Sequence, residues 1–429
     1  MKIVLKKVNL LNPHQKLNEK NDLLIEDGII KKIGGLKEDD IKSAKVFDFE
    51  NKYCVPGLFD MHVHFREPGR EDEETVVTGS NAAAAGGFTG VACMPNTSPD
   101  IDSAEVVRFI KEKAKDHLVD VYPVGAATLS RKGEAISPMF ELFEAGAVAF
   151  SDDGVAIKTA AVLRNVLEYS KEFGTPIIEH CEDESLADGA MNESTTSTIL
   201  GLPGIPSVAE DLIVNRDIIM AEYVGGKIHI AHISSKNAVD IVRQAKKKGI
   251  NVTAEVAPHH FLLSDESLKT YDTNYKMNPP LRTRADVEAM IEGLKDGTID
   301  CIASDHAPHS IEEKEMEFIY APNGILGLET QVGLAISELV HKKHITLAQL
   351  IEKLSINPRL ILNLPVPQIK VGEPANLTIL DTEQVWTIDI SKFKSKSKNS
   401  PFDKRLITGK SVAVINKKKM FFEDKFMEI

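Results

Sequence analysis

The sequence predicts an α/β fold, a (β/α)8 barrel of the TIM type with a small β domain formed by both ends of the chain. Three observations lead to this prediction. The chain has 429 residues, which is enough for one large domain and a smaller one. Its middle alternates eight short apolar runs with helical patterns, as parallel βα units do. Its two ends instead alternate short β-type runs with turns, so we expect them to share one domain.

The predicted elements follow in chain order. Residues 1–55 form the first part of the β domain, residues 56–364 the barrel, and residues 365–429 the second part of the β domain. The eight apolar runs predict the barrel strands, and they read GLFDMHVHF, FTGVACMP, VDVYPVGAAT, GAVAFSDDG, GTPIIEH, KIHIAHI, INVTAEVAP and DCIASDH. The helical segments between them include SAEVVRFIKEKAKDH, TAAVLRNVLEYSKEFG, AVDIVRQAKKKG and RADVEAMIEGLKDG.

A doubly wound open sheet is the alternative architecture. Its usual nucleotide role requires a Gly-rich phosphate turn after the first strand, and no such turn follows the first run. Near the C-terminus, the stretch SKFKSKSKNS at residues 391–400 has the composition of a solvated loop. We predict that this stretch is a flexible connection and that its lysines do not form a binding patch.

The composition narrows the function classes. The net charge is −13, which argues against a nucleic-acid or anionic-membrane surface. The expected partner is a small-molecule substrate, and an anionic substrate would need locally placed cations. The four cysteines lie at wide intervals inside or beside apolar runs, as buried thiols of a reducing compartment do. No uncharged apolar run reaches the length that spans a membrane. We therefore expect a cytoplasmic protein of enzyme size.

Acids and histidines accumulate at the C-terminal ends of the predicted strands, where barrels of this type carry their chemistry. The polar residues that end or follow the runs are His62, His64, Asn96, Asp152, Asp153, His180, His232, His259, His260, Asp305 and His306. Each of them has an ordinary structural explanation when taken alone, such as a hydrogen-bonded core histidine or a turn aspartate. Independent explanations would not all fall at the same end of different strands, so the set predicts a metal site.

The spacing of the first two histidines has a physical meaning. Side chains two residues apart on a strand point the same way, so His62 and His64 can bind one metal ion together. Imidazole and carboxylate ligands suit Zn²⁺ or a similar divalent ion. Asp60 lies on the same face, and we expect it to accept a hydrogen bond from an imidazole.

These residues stand in motifs that resemble the dihydroorotases of the amidohydrolase superfamily, specifically the bacterial class I type. A lone His-x-His is a weak signal, whereas Arg66 after it, MPNT, NPPLR and DHAPH in this order are specific. The resemblance extends over nearly the whole chain, through VPGLFDMHVHFREPG, GGFTGVACMPNTSP, FSDDG, IIEHCED, IAHIS, APHHF, MNPPLR, SDHAPH and GLET. It implies a (β/α)8 barrel with a small β-sandwich domain formed by both chain ends.

The resemblance also implies the cofactor and the residues that bind it, one or two zinc ions per chain. The implied ligands are His62, His64 and Asp305 for one zinc, His180 and His232 for a second, and Asp153 as the bridge, in place of the carbamoylated lysine of a related branch. Asp305 is the implied general base. Cys181 should point away from the metals and pack as a buried thiol, the alternative being a thiolate that reaches zinc.

The substrate contacts that the resemblance implies come from several loops. They are His64, Arg66, Asn96, Asn278, His309, Asn323 and Gly324. At Asn323 the family usually has an aromatic residue. Because the resemblance implies a contact through backbone groups there, we expect this difference to matter little.

The implied activity is the reversible cyclisation of N-carbamoyl-L-aspartate to L-dihydroorotate in pyrimidine synthesis. Another cyclic amidohydrolase, an allantoinase or hydantoinase, is one alternative. Arg66 with MPNT and NPPLR favours a carboxylate-bearing pyrimidine over those substrates. The other alternative is a catalytically silent partner of aspartate carbamoyltransferase, which should have lost metal ligands. The sequence leaves open a homodimer, an association with that transcarbamoylase, and the number of metals bound.

Overall fold

The computed structural model describes all 429 residues, which form twenty β-strands and fourteen α-helices. The strands are β1 Lys2–Asn12, β2 Leu17–Glu26, β3 Ile29–Ile33, β4 Lys45–Asp48, β5 Tyr53–Pro56, β6 Leu58–Val63, β7 Phe88–Cys93, β8 Asp120–Pro123, β9 Gly125–Ala126, β10 Phe150–Ser151, β11 Ile177–Glu179, β12 Met191–Asn192, β13 Gly204–Ile205, β14 Ile228–Ile230, β15 Val252–Val256, β16 Cys301–Ile302, β17 Leu377–Thr387, β18 Leu406–Asn416, β19 Lys419–Phe422 and β20 Lys425–Glu428.

The α-helices are α1 Glu38–Lys42, α2 Val76–Gly86, α3 Ala104–Ala114, α4 Met139–Ala145, α5 Ala160–Ser170, α6 Thr195–Leu200, α7 Val208–Val224, α8 Lys236–Lys247, α9 Pro258–Leu262, α10 Arg284–Asp296, α11 Ile311–Lys314, α12 Gln331–Ala335, α13 Leu347–Ile351 and α14 Asn357–Ile361. Two π-helical segments continue α12 and α13, at Ile336–Val340 and Glu352–Ile356. Short 3₁₀ turns lie at Pro13–Gln15, Leu129–Arg131, Lys171–Phe173, Glu184–Leu186, Asp265–Ser267, Thr273–Tyr275 and Ile390–Lys392.

Strands from both ends of the chain share one nine-stranded sheet. Its order is β20-β19-β18-β17-β5-β1-β2-β3, and β4 pairs with β1. The two ends meet where β5 runs antiparallel to β17, with Cys54 opposite Ile379. A separate apolar cluster of 18 buried residues is formed mostly by side chains of these strands. The end strands therefore have a core of their own, and β5 leads directly into β6.

Each of the eight predicted barrel runs contains one of the parallel strands, with the third run divided into β8 and β9 around Val124. These strands form two sheets, β6-β7-β8 and β9-β10-β11-β14-β15-β16. The segment after β16 lies beside β6. His64 N donates a 2.9 Å hydrogen bond to His306 O, and Val63 pairs parallel with His306. The C-terminal ends of the first and last strands are therefore neighbours.

The helices between the strands begin and end as their sequences predict. The Ser235 hydroxyl caps α8 by accepting hydrogen bonds from two backbone N–H groups of its first turn. Thr283 and Asp286 form a capping box at the start of α10, which ends at Gly297 with φ +81°. The helical segments predicted around α3, α5, α8 and α10 are thus confirmed. None of the helices combines the length and the apolarity needed to cross a lipid bilayer.

The stretch 391–400 is not the flexible connection predicted from its composition. Its small polar side chains alternate with lysines, and Ser395, Ser397, Asn399 and Ser400 are all buried. The alternation of side chains along an extended segment turns one face inward and leaves the lysines outside. The prediction considered only composition and missed this two-residue period.

Arg359, on α14, is a buried cation at the N-terminal end of the parallel strands. Its guanidinium donates hydrogen bonds to Gly57 O at 2.6 Å, Ser355 O at 2.9 Å and the Thr89 hydroxyl at 3.1 Å. It also lies over the Phe59 ring, 5.1 Å from the centroid. Burial lowers the pKa of Arg359 to about 10, so the group stays charged at neutral pH. These contacts link α14 to β6 and β7.

We expect Arg359→Met to lower the free energy of unfolding by about 3 kcal/mol, because the buried oxygens of Gly57, Ser355 and Thr89 lose the hydrogen bonds that the guanidinium donates. The measurement is urea unfolding followed by circular dichroism. Arg243→Met is the control, since the partly exposed pair of Arg243 with Asp296 should contribute no more than about 1 kcal/mol. Equal losses in the two variants would contradict a specific role for the buried guanidinium.

Candidate active site

The six predicted metal ligands lie together at the C-terminal ends of the parallel strands, and all are buried. His62 lies within β6 and His64 just beyond it, while the others directly or closely follow β10, β11, β14 and β16. The residues of this cluster are His62, His64, Asp153, His180, His232 and Asp305. The structure thus brings together side chains that are up to 243 positions apart in the sequence, as the parallel-strand pattern predicted.

Asp153 is the centre of the cluster. Its Oδ1 lies 3.2 Å from His62 Nε2 and 3.6 Å from His232 Nε2. Its Oδ2 lies 3.6 Å from His64 Nε2. Arg131 holds the backbone behind this carboxylate, because its guanidinium donates to Asp153 O at 2.6 Å. One carboxylate therefore faces three imidazoles that come from two different strands.

The remaining members close the cluster on two sides. His180 Nδ1 lies 3.0 Å from His232 Nε2. Asp305 Oδ1 lies 3.1 Å from His64 Nε2 and 3.7 Å from His62 Nε2. Asp305 and His232 both adopt positive φ, +48° and +29°, which side chains other than glycine rarely do. Such strained residues occur mostly where the surrounding structure holds a functional geometry.

The donor atoms of the cluster fit a divalent metal ion. Two sets of three residues each bring one ligand atom within 4.8 Å of the others, His62 with His64 and Asp153, and Asp153 with His180 and His232. His62 Nε2 and Asp153 Oδ1 are buried and lie 3.2 Å apart, but neither makes a hydrogen bond of acceptable geometry to the other or to any other group. Two such unpaired atoms are costly in a protein interior. A cation shared by these atoms would satisfy both. Imidazole nitrogens with carboxylate oxygens are a typical zinc donor set.

Oppositely charged neighbours shift the pKa values of His62 and Asp153 in opposite directions. Burial disfavours both charged forms, but Asp153 and Glu255 hold the pKa of His62 well above its usual value. Burial raises the pKa of Asp153, but the neighbouring histidines His62, His232 and His64 outweigh burial and hold that pKa well below the usual range. These neighbours therefore favour the ionised form of Asp153, which is the form that binds a cation.

Glu255 on β15 is a site residue that the sequence reasoning missed. Its Oε1 lies 2.6 Å from His62 Nδ1, which directs His62 Nε2 toward Asp153. The available signal was one carboxylate inside the apolar run INVTAEVAP. The expectation that Asp60 accepts from an imidazole is wrong, because its carboxylate accepts from the backbone N–H groups of His62 and Ser304. Asp60 therefore joins β6 to the segment after β16.

Asn96 and Asn278 lie on opposite sides of the cluster. Asn96 Oδ1 is 2.7 Å from His64 Nδ1, and its amide nitrogen is 3.4 Å from Asp153 Oδ2. The amide nitrogen of Asn278 donates to Glu182 Oε2 at 3.0 Å and lies 3.4 Å from His180 Nε2. Asn278 Oδ1 is buried without a partner. Both amides thus contact predicted metal ligands.

Arg66 and His309 form a second polar group beside the cluster. Arg66 donates through Nε to Pro308 O at 3.1 Å, and its terminal nitrogen lies 3.3 Å from His309 Nε2. Glu73 Oε2, at 3.3 Å from Arg66 Nε, partly balances the guanidinium. Burial, followed by the charge of Arg66, lowers the pKa of His309 to about 3, so the imidazole is neutral. This arrangement is suited to holding a carboxylate.

The loop with Asn323 and Gly324 lies against His309. His309 Nε2 is 2.8 Å from Asn323 O, so the backbone of Asn323 makes this contact. Gly324 has φ +128°, and a Cβ there would be 2.5 Å from the Cβ of Ala307. Only glycine therefore allows this loop to approach the chain that follows Asp305.

The other residues singled out from the sequence lie outside the cluster. His259 and His260 are buried in α9, and burial lowers the pKa of His259 to about 4. Cys181 is a buried thiol, as expected, with its Sγ 3.7 Å from Asp217 Oδ2. Burial and the neighbouring acids hold the pKa of Cys181 well above its usual value, so it is not a thiolate.

Comparisons with known proteins agree on one family. The family model described as dihydro-orotase-like matches residues 51–238. A dihydroorotase of Acetivibrio thermocellus is 50% identical over 402 residues, covering 93% of this chain and 94% of that protein. A dihydroorotase of Pelotomaculum thermopropionicum is 47% identical over 426 residues, covering 99% of both.

Solved structures show the same fold at lower identity. The L-hydantoinase (dihydropyrimidinase) of Arthrobacter aurescens has a TM-score of 0.87 and 24% identity, covering 100% of this chain and 97% of that chain. The dihydropyrimidinase of Brevibacillus agri has a TM-score of 0.84 and 22% identity, covering 99% of this chain and 96% of that chain. At these identities the likeness concerns the fold alone.

We expect Glu255→Gln to weaken zinc binding by about 10- to 100-fold, because the charged partner that orients His62 is lost. The measurement is a competition titration against a fluorescent zinc chelator. Glu288→Gln, at an exposed position on α10, is the control and should bind zinc as the unmodified protein does. Unchanged affinity in Glu255→Gln would show that the contact with His62 does not support metal binding.

Proposed function

The chain belongs to the dihydroorotase family, and we propose that it catalyses the reversible cyclisation of N-carbamoyl-L-aspartate to L-dihydroorotate in pyrimidine synthesis. The family assignment rests on relatives that are about half identical over nearly the whole chain. The observation that carries the proposal is the pairing of Arg66 and His309 beside the buried His/Asp cluster. A candidate metal centre and a pair suited to binding a carboxylate thus adjoin each other.

We propose that the eight parallel strands close into a (β/α)8 barrel. The pairing of Val63 with His306 supports closure between the first and last strands. The nine-stranded sheet would be the small β-sandwich domain, formed by residues 1–55 and 365–429, with the barrel at 56–364. The shared sheet of β5 and β17 supports this division. This architecture would place all the site residues at the C-terminal end of the barrel.

The proposed cofactor is zinc, one or two ions per chain. Its ligands would be His62, His64 and Asp305 on one side, His180 and His232 on the other, and Asp153 as the bridge between them. The unpaired atoms His62 Nε2 and Asp153 Oδ1 support this assignment. When bound, zinc would polarise the ring amide and lower the pKa of water toward about 7. An aspartate bridge needs no carbamoylated lysine.

Asp305 is the proposed general base. Burial raises its pKa, but His64, His62 and His232 outweigh burial and hold that pKa well below the usual range. An ionised carboxylate at the rim would take the proton of the attacking water and return it to the leaving ring nitrogen. The contact of Asp305 Oδ1 with His64 Nε2, at 3.1 Å, would hold the carboxylate in place.

The substrate carboxylate would bind to Arg66, His309 and Asn96, and the ring would lie near Asn278 and the Asn323–Gly324 backbone, with His64 also in contact. Because the protein has a net charge of −13, an anionic substrate needs such local cations. An allantoinase or hydantoinase would not need a guanidinium at this place. A catalytically silent partner of aspartate carbamoyltransferase would not need all six metal ligands, and the chain retains them.

The compartment and the partners of the chain are also proposals. Four free, buried cysteines are typical of a reducing compartment, and we propose the cytoplasm. A homodimer and an association with aspartate carbamoyltransferase are both compatible with the proposed activity. Assays with and without the transcarbamoylase distinguish independent activity from activity that requires that partner.

We expect Asp305→Asn to lower kcat for dihydroorotate hydrolysis by about 10²- to 10⁴-fold, since the amide cannot accept the proton. The measurement is a steady-state assay of ring opening at saturating zinc. Asp296→Asn, at the end of α10, serves as the control and should retain full activity. If Asp305→Asn were fully active, another group would have to be the base.

We expect Arg66→Met to raise KM for dihydroorotate by at least about tenfold, because the substrate carboxylate loses a charge-assisted hydrogen bond. The assay compares dihydroorotate with hydantoin, which has no carboxylate. Arg108→Met, an exposed position on α3, is the control. A preference of the unmodified protein for hydantoin, or an unchanged KM in Arg66→Met, would contradict the assigned substrate.

A further inference from the structure

We infer that Asn399 is a positioning residue that fixes the spacing between the two loops of the proposed substrate site. This inference rests on the proposed function and extends it to a residue from the C-terminal part of the chain. The loops are residues 306–310, which follow Asp305, and residues 323–327, which include Gly324. Asn399 lies in the segment 393–400, which we call the strap.

The strap is anchored by contacts with Glu329, Glu74 and Glu73, of which Glu74 and Glu73 are buried. Glu329 Oε1 accepts from the backbone N–H groups of Lys394 and Ser395, at 2.7 Å and 3.0 Å. The Ser395 hydroxyl donates to Glu74, and the Ser397 hydroxyl donates to Glu73 O at 2.8 Å. These bonds hold residues 394, 395 and 397 of the strap in place just before Asn399. The strap is thus a fixed element and not a free loop.

Asn399 contacts both loops with one side chain and is itself 5% exposed. Its Oδ1 accepts from His309 N at 3.2 Å. Its amide nitrogen donates to Ala307 O at 2.9 Å and to Gly324 O at 3.1 Å. Its backbone carbonyl accepts from Leu326 N at 2.9 Å. Asparagine is the small side chain that offers both the donors and the acceptor this position uses.

The position of these bonds connects Asn399 to the substrate contacts. His309 is held at its backbone N–H, and Gly324 is held at its carbonyl. Ala307 N also donates to Ile325 O at 2.8 Å, so the two loops touch beside Asn399. A loss of the amide donors would let the loops separate and move His309 relative to Asn323 O. Asn399 does not reach the metal cluster, so its effect should fall on substrate binding.

Other bonds keep the second loop folded when Asn399 is changed. The ammonium group of Lys314 donates to Pro322 O and Gly324 O, both at 3.0 Å. Gly324 N donates to Lys276 O at 3.0 Å. Because these contacts persist, a change at Asn399 should loosen the spacing between the loops without unfolding the chain. This makes a substitution at Asn399 a usable test.

The test compares Asn399→Asp and Asn399→Ala with Ser400→Ala in the full chain loaded with zinc. Asp keeps the shape but turns a carboxylate oxygen toward two carbonyls, and Ala removes the side-chain bonds without adding charge. Ser400 is the buried neighbour, and its hydroxyl accepts a hydrogen bond only from Phe402 N, at 3.3 Å, just beyond the strap and away from both loops. The measurements are KM and kcat for dihydroorotate, zinc content, and amide hydrogen exchange in peptides covering 306–310 and 323–327.

We expect both Asn399 variants to raise KM by about tenfold, to change kcat by less than about threefold, and to keep their zinc. Asn399→Ala should also speed exchange in both loop peptides, while Ser400→Ala should match the unmodified protein. Unchanged KM and exchange would overturn the inference, and so would a joint loss of zinc, kcat and thermal stability. If the unmodified protein fails to turn over dihydroorotate, the proposed function fails, while exchange still tests the coupling of the loops.

Discussion

The carboxylate of Asp153 is buried, which raises its pKa, but its three imidazole neighbours outweigh burial and hold that pKa well below the usual range. The rest of the site is arranged around this carboxylate. Taking an ionised carboxylate out of water costs several kcal/mol unless charges or hydrogen bonds compensate. Here three imidazoles from β6 and the end of β14 lie within 3.6 Å of its oxygens. They can do so only because these strands are parallel and end at the same level. Asp153 closely follows β10, so the site depends on where β10 ends relative to β6 and β14.

Charge is divided between two neighbouring regions of the site. The cluster carries the acids Asp153 and Asp305, with Glu255 beside it, and these suit a cation. Arg66 and the neutral His309 instead suit an anion. Glu73 limits the positive charge of Arg66, so the guanidinium is shared between a protein acid and the proposed substrate carboxylate. This division would let a chain with a net charge of −13 hold the proposed anionic substrate beside buried acids.

The positions of the parallel strands and of the residues at their ends were predictable, because both follow from local period and from the geometry of parallel strands. Glu255 was not, since one acid in an apolar run does not reveal which imidazole it will meet. The role of Asp60 was wrongly predicted because its partners are backbone N–H groups, one of them 244 positions away. The strap was misjudged because Ser and Lys suggest solvent, while their alternation places Ser395, Ser397 and Asn399 inside.

We expect the buried His/Asp cluster to be a metal centre bridged by Asp153. The most direct measurement is an anomalous difference map at the zinc absorption edge, from crystals grown with zinc. We predict a peak bounded by His62, His64 and Asp153, and a second zinc would give a peak bounded by Asp153, His180 and His232. Absence of any peak in the cluster, with His62 Nε2 bonded directly to Asp153, would contradict it.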